Sequence, residues 1–250
     1  MTTNLASQLR EGTKHSHTMA ENTAYMKCFL KGIVEKEPFR KLLANLYFVY
    51  STLEEELVKH RNHPVVGLIY YPELNRKANL EEDLAFYYDD FWRDEIVTSE
   101  AGRDYIFRLK EIANSEPSLL VAHAYVRYMG DLSGGQGLKS IVRSALELPA
   151  DKGTRFYEFD VFSSIGEIKE FKGKYRDALN SLPVDAELIA KIVAEANAAF
   201  ALNRDVMHAL EPEVQAAIGD RVFDLITRQD IPGATERPPG NSSVELIVSE

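Results

Sequence analysis

Apolar residues recur three or four positions apart along most of this chain, which is the period of an amphipathic helix. After Pro38 the positions Leu42, Leu46, Val49, Tyr50, Leu53 and Leu57 make one stripe, with Glu54, Glu55, Glu56 and Lys59 on the other face. Pro38 suits a first helical turn, where its missing amide hydrogen costs nothing, and Asn62 to Pro64 ends the helix. Tyr105, Ile106, Leu109 and Ile112 predict a helix over about 99–113, and a proline-free run predicts another over 118–148. Further helices are expected over about 165–182 and, N-capped by Asp185, through Leu188, Ile192, Val193, Ala196, Phe200 and Leu210. Near the N-terminus Leu5, Leu9, Thr13 and His17 stand four apart on one stripe. No long segment alternates with the period of two that strands need, so the pattern predicts an all-α, single-domain bundle of roughly eight helices. That domain covers residues 1–230, and Pro232, Gly233, Pro238, Pro239 and Gly240 predict a flexible tail over residues 231–250.

Composition narrows the class. The 250 residues are 45% hydrophobic and 27% charged, which suits a soluble globular domain and excludes wholesale disorder. A net charge of -10 and a pI of about 5.2 argue against generic nucleic-acid or anionic-lipid binding. The single cysteine, Cys28, rules out an internal disulfide framework. No apolar run approaches the roughly 18–20 residues needed to span a bilayer, and the N-terminus lacks the basic and apolar regions of a secretory signal. A cytoplasmic protein is expected, and a monomer, because no long exposed apolar stripe remains.

The chemistry concentrates in two places. Gly130, Gly134, Gly135 and Gly137 fall within eight positions of an otherwise helical pattern, each costing about 0.5–1 kcal/mol relative to alanine in a helix. A phosphate-binding loop would need a preceding strand and a Gly-Lys-Ser/Thr ending, and neither is present. Two readings stay open: a plain loop or close helix contact, or a bent helix whose bare backbone lets a large flat ligand lie against it. Asp131 is the only carboxylate or basic side chain between Arg127 and Lys139, and is either an exposed cap or a deliberately placed polar group. None of the six histidines forms a His-x-x-x-His or Glu-x-x-His pair. His17, on its apolar stripe, is either a core residue or a single axial ligand to a haem iron. Lys172 and Arg176 share one helix face, as do Arg10 and Lys14, which makes each pair either a solvated surface or a holder of ligand carboxylates.

Taken together these pieces resemble a known family. Gly12-Thr13-Lys14-His15-Ser16-His17-Thr18-Met19-Ala20-Glu21-Asn22 and Gly130-Asp131-Leu132-Ser133-Gly134-Gly135-Gln136 are similar to the signature segments of the heme oxygenases. So are Leu119 to Tyr125, Leu80 to Phe86, and the run Ala199-Phe200-Ala201-Leu202-Asn203. The likeness covers about residues 5–225 and is closest in kind to the soluble cyanobacterial enzymes.

The resemblance implies that haem b is both substrate and cofactor, held between the first helix and the glycine helix. His17 would be the iron ligand, with Glu21 accepting its other ring N–H, and Phe200 would line the same pocket. Gly130 and Gly134 would sit against the macrocycle. Asp131 would organise a water chain for proton delivery, with Tyr50, Arg127 and Asn203 as its network partners. Arg10, Lys14, Tyr125, Lys172 and Arg176 would hold the propionates and so set the haem's rotation. The products would be biliverdin IXα, CO and ferrous iron, feeding bilin synthesis. Electrons from reduced ferredoxin are implied, since the chain has no flavin or nicotinamide fingerprint, and a bilin reductase would accept the product. The reading from another class is a haem storage or sensor protein. Asp131 among its glycines separates the two, because storage needs no proton relay.

Overall fold

The structure is a computed structural model and describes residues 3–233. Twelve α-helices occur among the described residues, with four short 3-10 turns and no strand. They are α1 (Leu5–Gly12), α2 (Lys14–Glu21), α3 (Ala24–Leu30), α4 (Lys36–Lys59), α5 (Lys77–Tyr88), α6 (Trp92–Glu95), α7 (Glu100–Ser115), α8 (Leu120–Ala145), α9 (Ile165–Asn180), α10 (Ala186–His208), α11 (Glu211–Ile218) and α12 (Asp220–Thr227). The fold is all-α as expected, but the count exceeds the expected eight because short breaks divide the pattern. Thr13 leaves helical geometry between α1 and α2, yet its amide and hydroxyl both still reach the Leu9 carbonyl, at 3.0 and 2.7 Å. Gly219 ends α11 at φ 82°, a backbone conformation that favours glycine, and α12 starts immediately after it.

Two long helices organise the core. α4 packs against α5, α7 and α8, and α10 packs against α1, α2, α7 and α8. Gly12 permits the α1–α10 contact, since a Cβ there would lie 2.5 Å from Val193 Cγ1. Asp185 caps α10 by accepting from the Leu188 amide at 2.8 Å, as its position predicts. α4 departs from the sequence pattern, because Glu54 and Glu56 are buried although the spacing puts them on a polar face. Glu54 accepts from the Arg76 and Lys77 amides at 2.5 and 3.2 Å, so it serves the orphan donors at the start of α5. Burial pushes its carboxyl up to about 7 against those two hydrogen bonds.

Of the tail expected over 231–250, only Ile231 to Gly233 fall among the described residues, and these lack regular structure. Ile231 is tied to the end of α2 by a pair of hydrogen bonds with the Asn22 side chain, whose Oδ1 accepts from its amide at 2.8 Å and whose Nδ2 donates to its carbonyl at 2.9 Å. No helix among the described residues is long and apolar enough to cross a membrane.

Candidate active site

α8 is one uninterrupted helix through all four glycines, which excludes the loop reading. Leu120, Val121, Ala124, Tyr128, Leu132 and Val142 bury one side of it, and that packing offsets the low helix propensity of the glycines. Gly135 faces the protein, where a Cβ would meet the Tyr157 ring at 3.7 Å. Gly130 and Gly134 face the opposite way. Nothing lies within 4 Å of a Cβ built on either, so α8 offers bare backbone to open space.

Beside that bare face sits a hydrogen-bonded chain drawn from three helices. The Tyr50 hydroxyl (α4) donates to Asp131 Oδ2 (α8) in a short contact. Arg127, one turn before Asp131, donates from Nε to the Tyr50 oxygen at 3.0 Å and from Nη1 to Asn203 Oδ1 (α10). Burial raises the Asp131 carboxyl above its ordinary range, with Arg127 and Tyr50 pulling the other way. Burial also holds the Tyr50 phenol well above its usual value, so it stays a neutral donor. Burial works against the Arg127 charge, but Tyr50 and Asp131 more than compensate and keep the guanidinium protonated.

His17 lies on α2, across α10 from that chain. Its ring meets Phe200 edge-on at 5.7 Å, and Phe200 is one helical turn from Asn203. One face of α10 therefore touches both His17 and the Asp131 network. The Nδ1 of His17 is buried without a hydrogen-bond partner among the described residues, and Glu21 Oε2 is 3.8 Å from it. A third of the side chain remains exposed.

Arg10 and Arg176 come together around Tyr125, which follows from the packing of α9 against α1 and α8. Burial raises the Tyr125 phenol, and the charges of Arg176 and Arg10 oppose that shift. Burial and the neighbouring Arg176 lower the Lys172 ammonium. Lys14 is half-buried on α2, one turn before His17. None of these four cations forms an ion pair among the described residues.

A haem group fits these residues on three counts. The buried, unbonded imidazole nitrogen suits a ligand oriented by Glu21, the bare helix face suits a flat ring, and the unpaired cations suit two carboxylates. Asp131, Tyr50, Arg127 and Asn203 belong to none of these three and form the separate bonded chain beside the bare face. The sequence pattern missed a second buried chain behind α8. There the neutral His123 ring donates from Nε2 to Glu195 Oε1 at 2.9 Å, and Nδ1 faces the Tyr105 hydroxyl at 3.4 Å. Burial keeps His123 neutral by lowering its pKa. Arg108 also holds Glu195, from Nε at 3.0 Å and Nη2 at 2.5 Å. The signal for it was an acid in phase with Ile192, Ala196 and Ala199 on the buried stripe of α10.

Comparison with known proteins agrees with this geometry. The family model described as Heme oxygenase matches residues 3–209. The chain is 58% identical over 249 residues to Heme oxygenase 2 of Synechocystis sp., covering 99% of this chain and 100% of that one. It is 51% identical over 236 residues to Heme oxygenase 1 of Nostoc sp., covering 94% and 98%. Among solved structures, heme oxygenase-2 of Synechocystis sp. in complex with heme and NO superposes with a TM-score of 0.93, at 59% identity and covering 95% of this chain and 97% of that one. Heme oxygenase-1 of the same cyanobacterium, in complex with heme, gives 0.84 at 54% identity, covering 90% and 100%. With a family model spanning most of its length and relatives this similar along nearly all of theirs, this chain belongs to the heme oxygenase family, the enzymes that break haem down.

Proposed function

We propose that this chain binds haem between α2 and the Gly130–Gly134 face of α8 and opens it at the α-meso carbon, releasing biliverdin IXα, CO and ferrous iron. Bound haem is the substrate and also brings the iron that activates O2. The observation that carries this reading is the position of Asp131, bonded to Tyr50 and set one residue after Gly130, beside open space. A storage protein has no use for a carboxylate fixed there.

His17 is the iron ligand through Nε2. Its Nδ1–H then points to Glu21, which settles the tautomer and makes the imidazole a better donor. On the other wall Tyr50 and Arg127 hold Asp131 in one orientation, so that its free oxygen can order water and move a proton toward the reacting edge. The raised pKa of Asp131 suits a group that both holds and releases a proton. No histidine stands on this wall, so the acid is weak and acts through water. The missing side chains of Gly130 and Gly134 admit O2 beside the ring, and the heme and NO complex of the Synechocystis relative supports room for a diatomic ligand. Arg10, Lys14, Lys172, Arg176 and Tyr125 bind the propionates and fix which edge of the ring faces Asp131.

The electron donor is reduced ferredoxin, an acidic protein that docks on this basic rim, which makes the enzyme a ferredoxin-dependent monooxygenase. It works as a monomer in the cytoplasm, where the lone buried thiol of Cys28 stays reduced, and hands its product to a bilin reductase.

An absorption titration tests the whole reading. One equivalent of haem should give a Soret band that decays under air when reduced ferredoxin is added, with growth of biliverdin absorbance and CO trapped by a globin. High salt should slow the reaction by weakening donor docking. A Soret band that stays unchanged with ferredoxin and with a second donor would contradict turnover.

A further inference from the structure

Asp83 is fully buried, with 0% exposure, in the stripe Leu80, Asp83, Leu84 and Tyr87 on the inner face of α5. Nothing in α5 itself needs a carboxylate there. Its two oxygens instead accept from two successive amides of the 3-10 turn Arg155–Tyr157: Oδ1 from Arg155 at 2.9 Å and Oδ2 from Phe156 at 2.8 Å. The turn's carbonyls are also taken. Asn79 Nδ2 donates to those of Arg155 and Glu158 at 3.0 and 3.2 Å, and Arg76 Nη1 donates to those of Phe156 and Glu158. A whole turn of chain is thus anchored to α5 and the residue before it.

That turn touches the two helices joined by the Tyr50–Asp131 bond. On one side the Phe156 ring packs edge-on against the Tyr50 ring at 5.6 Å. On the other it meets α8 one turn beyond Asp131. The Tyr157 carbonyl accepts from Gln136 Nε2 at 3.1 Å, the Tyr157 ring lies under Gly135, and Glu158 Oε1 takes the Lys139 ammonium at 2.9 Å. Turn, α4 and α8 form a triangle whose third side is the short Tyr50–Asp131 contact. A shift of the turn must therefore change either the tilt of Tyr50 or the setting of α8.

We propose that Asp83 is a positioning residue for the Asp131 network, acting through the Arg155–Tyr157 turn to set where Tyr50 presents its hydroxyl and how α8 carries its glycine face. The proposal rests on the reading of Asp131 as the proton-handling group. Burial raises the Asp83 carboxyl to about 6 even with two amides bonded to it, so this acid is retained at a cost to stability. Arg155 and Tyr157 on the turn, Glu158 just after it and Tyr87 on α5 are the charged and titratable groups that act on it or feel its charge.

The test compares Asp83→Asn with Lys27→Met. Asp83→Asn sets an NH2 group against one of the two amides. Lys27→Met removes a buried polar anchor, bonded to Thr227 and Asp230, that touches neither the turn nor the network. The first readout needs no haem: the Tyr50 hydroxyl proton, followed by NMR in the free protein, reports the bond to Asp131. It should move upfield and exchange faster in Asp83→Asn and stay in place in Lys27→Met. The second readout is turnover, which should fall about tenfold or more in Asp83→Asn, with haem affinity within twofold of the parent. If Asp83→Asn does not fold, Gln136→Ala breaks the same turn from its exposed side and should move the hydroxyl signal in the same direction. An unmoved signal in the folded variant overturns the proposal, as does an equal shift in Lys27→Met. A moved signal with parental turnover supports the positioning of Tyr50 and overturns the relay reading of Asp131 instead.

Discussion

The two walls of the site are finished to different degrees. On the α8 wall Asn203, Arg127 and Tyr50 are already bonded in one chain that ends on Asp131. On the α2 wall the His17 Nδ1 is buried without a hydrogen-bond partner among the described residues, with Glu21 Oε2 at 3.8 Å. Physical chemistry accounts for the asymmetry. A buried guanidinium cannot wait for its partners, because an unpaired charge away from water is strongly destabilising. The His17 imidazole, a third exposed to solvent, can wait. On the proposed reading, the groups that act on developing charge are preorganised by the fold, whereas the group that would grip the substrate is completed by it.

The largest expected effect breaks the comparison directly. Arg127→Leu should destabilise the haem-free protein by about 3–5 kcal/mol, because it leaves the Asp131 carboxylate without its counter-charge and Tyr50 and Asn203 without their donor. His17→Ala should change the unfolding free energy, read for both variants by urea denaturation, by less than about 1 kcal/mol, since it removes no hydrogen bond, while haem affinity and coupled turnover drop. Equal destabilisation by the two would refute the asymmetry.

A pH series sharpens it for the chain behind α8. Burial works to raise the Glu195 carboxyl, but His123 and Arg108 overcome it and hold the group at about 2, below its ordinary 4.5. The stabilisation is therefore complete above pH 4.5 and drains away as pH falls toward 2. It should be of the order of 2 kcal/mol. Glu195→Gln should flatten that part of the stability curve, and a slope unchanged by the substitution would remove Glu195 from the account.

The smallest effect carries opposite signs. Gly134→Ala should stabilise the haem-free protein by about 0.5–1 kcal/mol, since a Cβ there meets nothing and alanine favours the helix. It should also weaken haem binding, because the methyl group occupies the space the ring needs. Calorimetry for stability and a Soret titration for affinity would read both, and the same sign in each would mean that haem does not lie on this face.

Much of this was legible in the chain. A stripe ending at His17 and a lone acid among glycines both stand out against helical periodicity, because they break a local rule that packing would otherwise enforce. What stayed hidden were acids in phase with apolar stripes. Glu54 reads as part of a solvated run, yet α4 is packed by α5, α7 and α8, so the face that looks polar is inside. Asp83 reads as one of three successive acids, and its role depends on a turn more than seventy residues away. Periodicity reports how one helix divides its faces, and which faces are covered depends on neighbours distant in sequence. The extra helix boundary at Thr13 was hidden for a related reason, since Leu5, Leu9, Thr13 and His17 keep one phase across it.

The central claim is that the Asp131 network directs bound haem to oxygenation. A single-turnover comparison of the parent with Asp131→Ala tests it most directly, each loaded with one equivalent of haem and given reduced ferredoxin under air. The account predicts biliverdin IXα and CO from the parent. The variant should bind haem with parental affinity yet lose its Soret band without biliverdin, turning to peroxidase-like oxidation. Biliverdin at the parental yield from Asp131→Ala would contradict it.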